Sequence, residues 1–316
     1  MACSEEDRMD ARRVAVVCVT FNAADHIFSM LGSLGEATSS PELPVVVVDN
    51  GSSDDTVDLV RSATGVTLVE ERNSGYAAGL NRGFREIPDG HDILVLNADV
   101  VLQPGSIDRL AAVLADESDV AIVVPVLRDA SGALLPSLRR RMAWWRTLVE
   151  TLVGGSRAGR LGEVYEPDPC GGLQEAEWAT GAAMLLRRGV AAELGLWDES
   201  FFLYSEETEY CLRARDHGYK VVCQPTAVMT HVGGEMGREA RLWALRAVNR
   251  IRLQRRRGRI GAAALRATSV LFEARRALIG DAVSRAALKA LLSRDLDGVA
   301  ERLVASLGGE TVRIRR

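Results

Sequence analysis

Lysine is almost missing: of 39 basic residues only two, Lys220 and Lys289, are lysines. A glycine- and lysine-rich phosphate loop near the N-terminus, of the kind a nucleotidyltransferase would need, has no candidate. Cysteine is sparse and unpatterned. The five (Cys3, Cys18, Cys170, Cys211, Cys223) are an odd number without a CxxC pair, which excludes a zinc ribbon or a redox dithiol motif. Cys18 lies in an apolar run and reads as a small buried hydrophobe; this cysteine usage fits a reducing cytosol. No apolar run reaches the roughly 18–20 residues that cross a bilayer. Met1 to Arg13 carries no apolar signal core, so a cytoplasmic protein is expected. A large net charge is lacking too. The formal value is −4, and nothing global calls for nucleic acid.

What is present is the composition of a globular chain, with 316 residues, 47% hydrophobic and 26% charged. That length suits one large α/β domain with or without a helical extension. Val14–Val19 is a valine-rich run that reads as a strand buried on both faces. Helix-spaced Asp25–Leu34 follows, then strand Val45–Val48, helix Asp54–Ser62, strand Val66–Val69, a glycine-started helix Asn73–Glu86, strand Asp92–Leu96, helix Ile107–Ala115 and strand Val120–Val126. This alternation, with short loops, predicts a mainly parallel sheet covered by helices on both faces. Later come a strand at Ala182–Leu186, a short helix at Val190–Leu194, a strand at Val221–Cys223 and, from Arg238, an arginine- and alanine-rich helical region.

Ligands of such sheets bind at the carboxyl ends of the strands. Polar clusters stand at three of those ends: Thr20-Phe21-Asn22, Asp49 to Asp55 and Asn97-Ala98-Asp99. Asp49 can accept from a base imide or a ribose hydroxyl; its segment also reads as a turn with a helix cap at Ser53 or Asp54. Asp99 is a candidate ligand for Mg²⁺ or Mn²⁺, which take carboxylate oxygen and leave positions for a diphosphate; it reads equally as a polar strand end. Small residues from Asn73 through Gly75 and Gly79 let a helix start approach a phosphate or a strand, or serve packing alone. The dense acidic run Asp198 to Glu209, interleaved with Phe201, Phe202 and Tyr204, would raise a carboxylate towards the pKa of a general base. It also reads as a solvated acidic helix start.

Taken in order, these segments resemble the family-two inverting glycosyltransferases of the GT-A fold. The resemblance covers residues 14 to 235. It rests on Val-Thr-Phe-Asn at 19–22, Val-Asp-Asn-Gly-Ser-Ser-Asp at 48–54, Asn-Ser-Gly-Tyr-Ala-Ala-Gly-Leu-Asn at 73–81, Leu-Asn-Ala-Asp-Val at 96–100, Thr-Gly-Ala-Ala-Met-Leu-Leu-Arg-Arg at 180–188 and Phe-Phe-Leu-Tyr-Ser-Glu-Glu-Thr-Glu-Tyr-Cys-Leu-Arg at 201–213. Within the family the chain looks most like the bacterial rhamnosyltransferase branch, whose donor is dTDP-L-rhamnose; UDP-hexose or UDP-HexNAc transfer, or an inactive sugar-nucleotide binding module, is the alternative.

The resemblance implies that Thr20, Asn22 and Asp49, with Phe21, Gly51, Asn73, Gly75 and Gly79 beside them, hold the nucleotide. Asn97 and Asp99 stand at the DxD positions, His231 at a late histidine that completes the metal site, and Glu207 at the catalytic base. Two departures matter. Asn97 replaces an aspartate, leaving Asp99 as the metal anchor, and Glu207 is longer than the usual aspartate, so Glu206, Glu209 and Asp198 remain alternatives. The implied division is a segment 1–13, a donor half 14–128, an acceptor and catalytic half 129–235 and a helical basic extension 236–316. The acceptor is a glycan, a lipid-linked sugar or a small molecule. Trp144 and Trp145, in a variable loop region, read as buried anchors or as stacking surfaces for it. The arginine-rich extension could dock on anionic lipid, form a homodimer interface or stand solvated.

Overall fold

The computed structural model describes residues 13–154, 158–233 and 239–308. All of segment 1–13 but Arg13 lies outside the described residues. The first half alternates as β1 (Val14–Thr20), α1 (Ala24–Ala37), β2 (Val45–Asp49), α2 (Thr56–Ser62), β3 (Val66–Glu70), α3 (Tyr76–Phe84), β4 (Asp92–Asn97), β5 (Val100–Leu102), α4 (Ser106–Asp116) and β6 (Val120–Arg128). The second half runs β7 (Leu138–Arg139), α5 (Trp144–Val153), β8 (Val164–Tyr165), β9 (Gln174–Ala176), β10 (Trp178–Ala179), β11 (Ala183–Leu186), α6 (Arg188–Leu194), α7 (Glu206–Asp216) and β12 (Lys220–His231). Four helices follow: α8 (Ala240–Arg257), α9 (Arg259–Leu278), α10 (Ala282–Leu292) and α11 (Leu296–Ser306).

The main sheet has the order β3-β2-β1-β4-β11-β6-β12-β5, with β9 also on β12. The strands β3, β2, β1 and β4 are mutually parallel, as are β6 and β12. The expected single parallel run is interrupted by β11, which inserts antiparallel between β4 and β6, and β5 and β9 pair antiparallel with β12. The fold class stands as α/β with a mainly parallel sheet. Both sheet faces are apolar because both are covered. Val16, Cys18, Val47 and Leu94 meet α1 and α4 through Ile27, Met30, Leu110 and Leu114. Val17, Val46, Ile93 and Val95 meet α3 and α7 through Ala77, Leu80, Tyr210 and Ala214. A short sheet, β10-β7-β8, flanks this core.

The helix expected from Asn73 begins at Tyr76, because Gly75 has φ +98° and stands outside it. The strand expected at Val221–Cys223 runs on to His231 past an irregularity between Gln224 and Val228. Trp144 and Trp145 are exposed, at 45% and 38%, which overturns their reading as buried anchors. Their helix α5 instead packs through Thr147 and Thr151.

The arginines expected to form a basic surface are largely occupied within the fold. Arg252 and Arg255 share Asp297, Arg256 pairs with Asp198, Arg257 with Asp216, Arg250 with Glu163 and Arg276 with Asp281. The charge that would attract anionic lipid is thus mostly neutralised at short range. The helical region has its own core, built from Leu245, Val248, Ile251, Leu265, Leu291 and Leu296, and Phe202 and Leu203 pack against it. The C-terminal helices therefore support the loop that leads into α7.

Candidate active site

The three polar strand ends converge on one rim because β1 lies between β2 and β4. Thr20 Oγ1 donates to Asp49 Oδ1 at 2.9 Å, and Asn50 N–H donates to the Thr20 carbonyl at 2.8 Å. Asp49 also accepts from Gly51 N–H, Ser52 N–H and Ser52 Oγ. Its carboxylate is thereby fixed as the organiser of the turn as well as a rim group. Asn22, with φ +51°, accepts from Ser53 N–H at 2.8 Å, while its own N–H reaches Ser52 Oγ. Phe21 stands beside them, 49% exposed. The N-cap of α2 is Asp55, which makes no side-chain cap bond, and Ser53 is engaged with Asn22. Asp54 accepts from Thr56 N–H and Oγ1 at the start of α2 and from Ala24 N–H at the start of α1, tying the two helices together.

Gly75 has a steric reason to be glycine. A Cβ there would lie 2.8 Å from Phe202 Cα, and Tyr76 N–H donates to the Phe202 carbonyl at 2.7 Å. Asn73 closes the preceding turn on Gly75 N–H. Gly79 lies under the rim, where a Cβ on it would come within 3.3 Å of Asn50 Nδ2. A Cβ on it would meet Val19 Cγ1 at 2.7 Å, so it serves the packing of α3 on β1. Asn81, fully buried, fastens the same helix to the loop before α7 by bonding Trp197 and Glu199.

Asp99 and His231 meet across sequence distance through strand register. His231 of β12 lies opposite Val100 of β5, and Val232 N–H donates to the Asp99 carbonyl. This leaves His231 Nε2 3.1 Å from Asp99 Oδ2. Burial would raise the Asp99 carboxyl, but the hydrogen bond and charge of His231 outweigh it and hold it below its usual value. Gly233 leaves the Asp99 carboxylate room that any side chain would fill. Among the described residues no group of three or more His, Cys, Asp or Glu gathers around a single point. Among the described residues Asp99 and His231 bring a carboxylate oxygen and an imidazole nitrogen together at this strand end.

The catalytic candidates sit at the start of α7. Tyr204 and Ser205 hold φ of +68° and +80°, and with Asn22 they are the non-glycine residues of positive φ among the described residues. Such conformations cost about 1–3 kcal/mol each and persist where surrounding contacts dictate them. Here Asn249 of α8 supplies part of that restraint, donating to the Leu203 and Tyr204 carbonyls. Glu206 is 4% exposed, Glu207 is half-buried, and the Oε2 atom of each has no hydrogen-bond partner.

Burial raises both carboxyls, that of Glu206 furthest because Glu207 also repels it. Glu207 is partly held down by the helix-start N–H groups and by Arg246 and Arg139. It lies against Gly181, two residues from the Ala183 start of β11, and the adjacent Ala182 carbonyl accepts from Asn97 N–H at 2.9 Å. Tyr76, whose hydroxyl donates to Asn97 Oδ1 at 2.8 Å, feels Glu206, Glu207 and Asp99 together. The rim and α7 thus belong to one site.

Asp198 is engaged elsewhere. It accepts from Ser200 N–H and pairs with Arg256; burial is outweighed, and its carboxyl sits below the usual value. That is the opposite of what a base requires, and it makes Asp198 a brace to α8. Glu209 is bound to Arg213 at 2.9 Å. Tyr76, Gly181, Arg246 and Arg139 went unassigned from sequence. Tyr76 and Gly181 lie inside quoted motifs, while the two arginines carry no local pattern.

Comparison with known proteins agrees with this geometry. Residues 11–256 match the family model described as "Glycosyltransferase like family 2". The N-acetylglucosaminyl-diphospho-decaprenol L-rhamnosyltransferase of Mycobacterium tuberculosis is 29% identical over 247 residues, covering 71% of this chain and 78% of that protein. A low-salt glycan biosynthesis hexosyltransferase of Haloferax volcanii is 28% identical over 173 residues, covering 54% of this chain and 52% of its own.

Two solved structures share the fold. A mannosyltransferase from Pyrobaculum calidifontis in complex with GDP-Man and Mn²⁺ has a TM-score of 0.52 at 19% identity, covering 96% of this chain and 78% of that one. GalNAc-T7 with UDP, GalNAc and Mn²⁺ has a TM-score of 0.54 at 16% identity, covering 71% of this chain but 44% of its own length. By its motifs, its sheet order and the family model that spans most of its length, the chain belongs to glycosyltransferase family 2 and is a glycosyltransferase of the GT-A fold.

Proposed function

We propose that the enzyme transfers L-rhamnose from dTDP-L-rhamnose to an acceptor hydroxyl with inversion, using Glu207 as general base. The observation that carries the base assignment is the unpartnered, buried Glu207 Oε2 on the same site as Asn97 and Asp99. In this reading Thr20, Asn22 and Asp49 hold the base and ribose, while Gly75, expected from sequence to face the phosphate, seats the loop before α7 against the α3 start. Asp99 and His231 are a chemically suitable pair for Mg²⁺ or Mn²⁺, whose charge would stabilise the leaving diphosphate.

The chain's own part is proton transfer and positioning. Glu207 takes the acceptor hydroxyl proton as the new C–O bond forms at the anomeric carbon. The bond from that carbon to the diphosphate oxygen breaks on the opposite face, and the nucleoside diphosphate leaves. Burial, and after it the neighbouring Glu207, push the Glu206 carboxyl well above the usual range, which favours its neutral form. That spares Glu207 a second negative charge.

Replacing Glu207 with glutamine is expected to lower kcat roughly 100- to 10,000-fold and leave donor binding nearly unchanged. Loss of donor binding at constant kcat would overturn the assignment. Asp99→Ala is expected to abolish stimulation by titrated Mn²⁺; parental stimulation in that variant would remove Asp99 from the cation site. A thermal-shift panel of nucleotide sugars separates the donors. Stabilisation by dTDP-L-rhamnose above UDP-hexoses and UDP-HexNAc supports the rhamnosyl reading, and the reverse order replaces it.

A further inference from the structure

Tyr76 opens α3 and makes one bond to each half of the site. Its N–H donates to the Phe202 carbonyl at 2.7 Å, and its hydroxyl donates to Asn97 Oδ1 at 2.8 Å. The backbone before it is clamped as well. Asn50, almost fully buried, donates from Nδ2 to the Gly75 carbonyl at 3.1 Å. The ring thus projects from a fixed helix start, and its hydroxyl reaches Asn97 from a direction that the backbone sets.

Asn97 is equally constrained in its main chain. It ends β4, stands opposite Val19 in the register with β1, and donates its N–H to the Ala182 carbonyl at 2.9 Å. Only its side chain is left to turn. A carboxamide has one oxygen, which accepts, and one NH₂, which donates twice. The group that faces the rim decides what this position can bind: an oxygen could join a cation, whereas an NH₂ can meet only an acceptor. A phenol is protonated at neutral pH, so Tyr76 has a proton to give, and Oδ1 receives it. Asn97 is half-buried, and among the described residues its Nδ2 has no hydrogen-bond partner.

We propose that Tyr76 is a positioning residue for the donor substrate. By holding Oδ1 it turns the Asn97 NH₂ to the rim, where that group donates to an oxygen of the bound nucleotide's diphosphate instead of offering the cation a ligand. Diphosphate oxygens are accepting and charged, which is what an NH₂ donor suits. Thr20, Asn22 and Asp49 are taken by base and ribose in the reading above, and Asn97 lies two residues before Asp99, at the strand end left for the diphosphate. A carboxylate at position 97 could not act in this way, because it has no proton to donate. The same side chain ties this contact to the catalytic loop, since Phe202 stands four residues before Glu206. This role rests on the nucleotide-sugar reading, and it assigns a task to a residue outside the sequence-predicted set.

The test measures binding of dTDP and of UDP by calorimetry at saturating Mn²⁺. Electron paramagnetic resonance reads the half-saturating Mn²⁺ at saturating nucleotide. Tyr76→Phe keeps the ring and loses only the hydroxyl; it is expected to weaken the nucleotide that the parent binds about 2- to 12-fold. Asn97→Ala removes the charge-assisted donor itself, with an expected loss of about 10- to 100-fold. Asn97→Asp keeps an acceptor for Tyr76 but has no N–H, and should lose at least as much. Adding Tyr76→Phe to Asn97→Ala is expected to change binding by less than about 2-fold, a coupling that a merely structural hydroxyl would not show. Half-saturating Mn²⁺ is expected to stay at the parental value in Tyr76→Phe and Asn97→Ala. Unchanged nucleotide binding in Tyr76→Phe, or additive losses in the double variant, overturns the role of Tyr76. Parental binding by Asn97→Asp, or a raised Mn²⁺ requirement in Asn97→Ala, overturns the amide orientation and makes position 97 a cation ligand. Failure of the parent to bind either nucleotide with Mn²⁺ instead overturns the nucleotide-sugar reading on which the role rests.

Discussion

A single methyl group at Gly75 tests how tightly the donor rim and the catalytic helix are joined. Alanine at this position meets two penalties. The first is conformational, because φ is +98° and ψ 170°, a backbone region open essentially to glycine, where another residue costs about 1–3 kcal/mol. The second is steric, because the added Cβ would lie 2.8 Å from both Phe202 Cα and Phe202 Cδ2. Backbone cannot rotate away as a side chain can, and overpacking of this kind costs about 1–3 kcal/mol.

Gly90→Ala separates the two penalties. Gly90 has φ +79°, and a methyl group there would find nothing within 4 Å, so it carries a positive-φ cost without the steric one. The steric increment then predicts that Gly75→Ala melts roughly 2–12 °C below Gly90→Ala, at about 2–4 °C per kcal/mol for a domain of 150–250 residues. Relief of the clash moves Phe202, four residues before Glu206, and breaks the Tyr76–Phe202 bond. A shift near 1 Å at a catalytic group costs about 100-fold in rate, so kcat is expected to fall by that order in Gly75→Ala and to hold in Gly90→Ala. Differential scanning calorimetry and a donor-turnover assay read both quantities. Equal melting temperatures with equal kcat would refute the close junction between α3 and the α7 loop.

Other outcomes follow from the same contacts. Glu206 has a folded pKa raised above its unfolded value near 4.3, chiefly by burial, so its contribution to stability is full below that pH and is lost as pH rises through the folded value. Glu206→Gln should therefore gain in urea midpoint relative to the parent as pH rises above about 4.3, whereas a pH-independent difference would show that Glu206 is not buried as a neutral acid. Asn249→Ala removes the donor to the Leu203 and Tyr204 carbonyls and the acceptor for Arg252. It should cost about 1–3 kcal/mol in a denaturant titration and lower kcat although α8 lies outside the quoted motifs. Unchanged kcat would mean that the helical extension does not hold the catalytic loop.

The first half of the fold was legible because each buried strand is a run of valine, isoleucine or leucine ended by polar residues, as at Val14–Thr20 and Asp92–Asn97. The rim was legible for the same reason: side chains at the ends of adjacent parallel strands must be neighbours. Non-local pairings were not. Nothing in Ala183–Leu186 says that it pairs antiparallel between β4 and β6. The interruption at Gln224-Pro225-Thr226 hid the length of β12, and with it the register that brings His231 to Asp99. The arginines of α8 read as a surface because their partners, Asp198, Asp216 and Asp297, are distant in sequence.

A crystal structure of the enzyme with dTDP and Mn²⁺, with anomalous data collected to locate the metal, decides whether the strand-end rim and the start of α7 form one reaction centre. The base and ribose are expected against Thr20, Asn22 and Asp49, with an anomalous peak at the Asp99 carboxylate and the Glu207 carboxylate facing the space beyond the diphosphate. Nucleotide bound away from this rim, or a metal peak remote from Asp99, would contradict that arrangement.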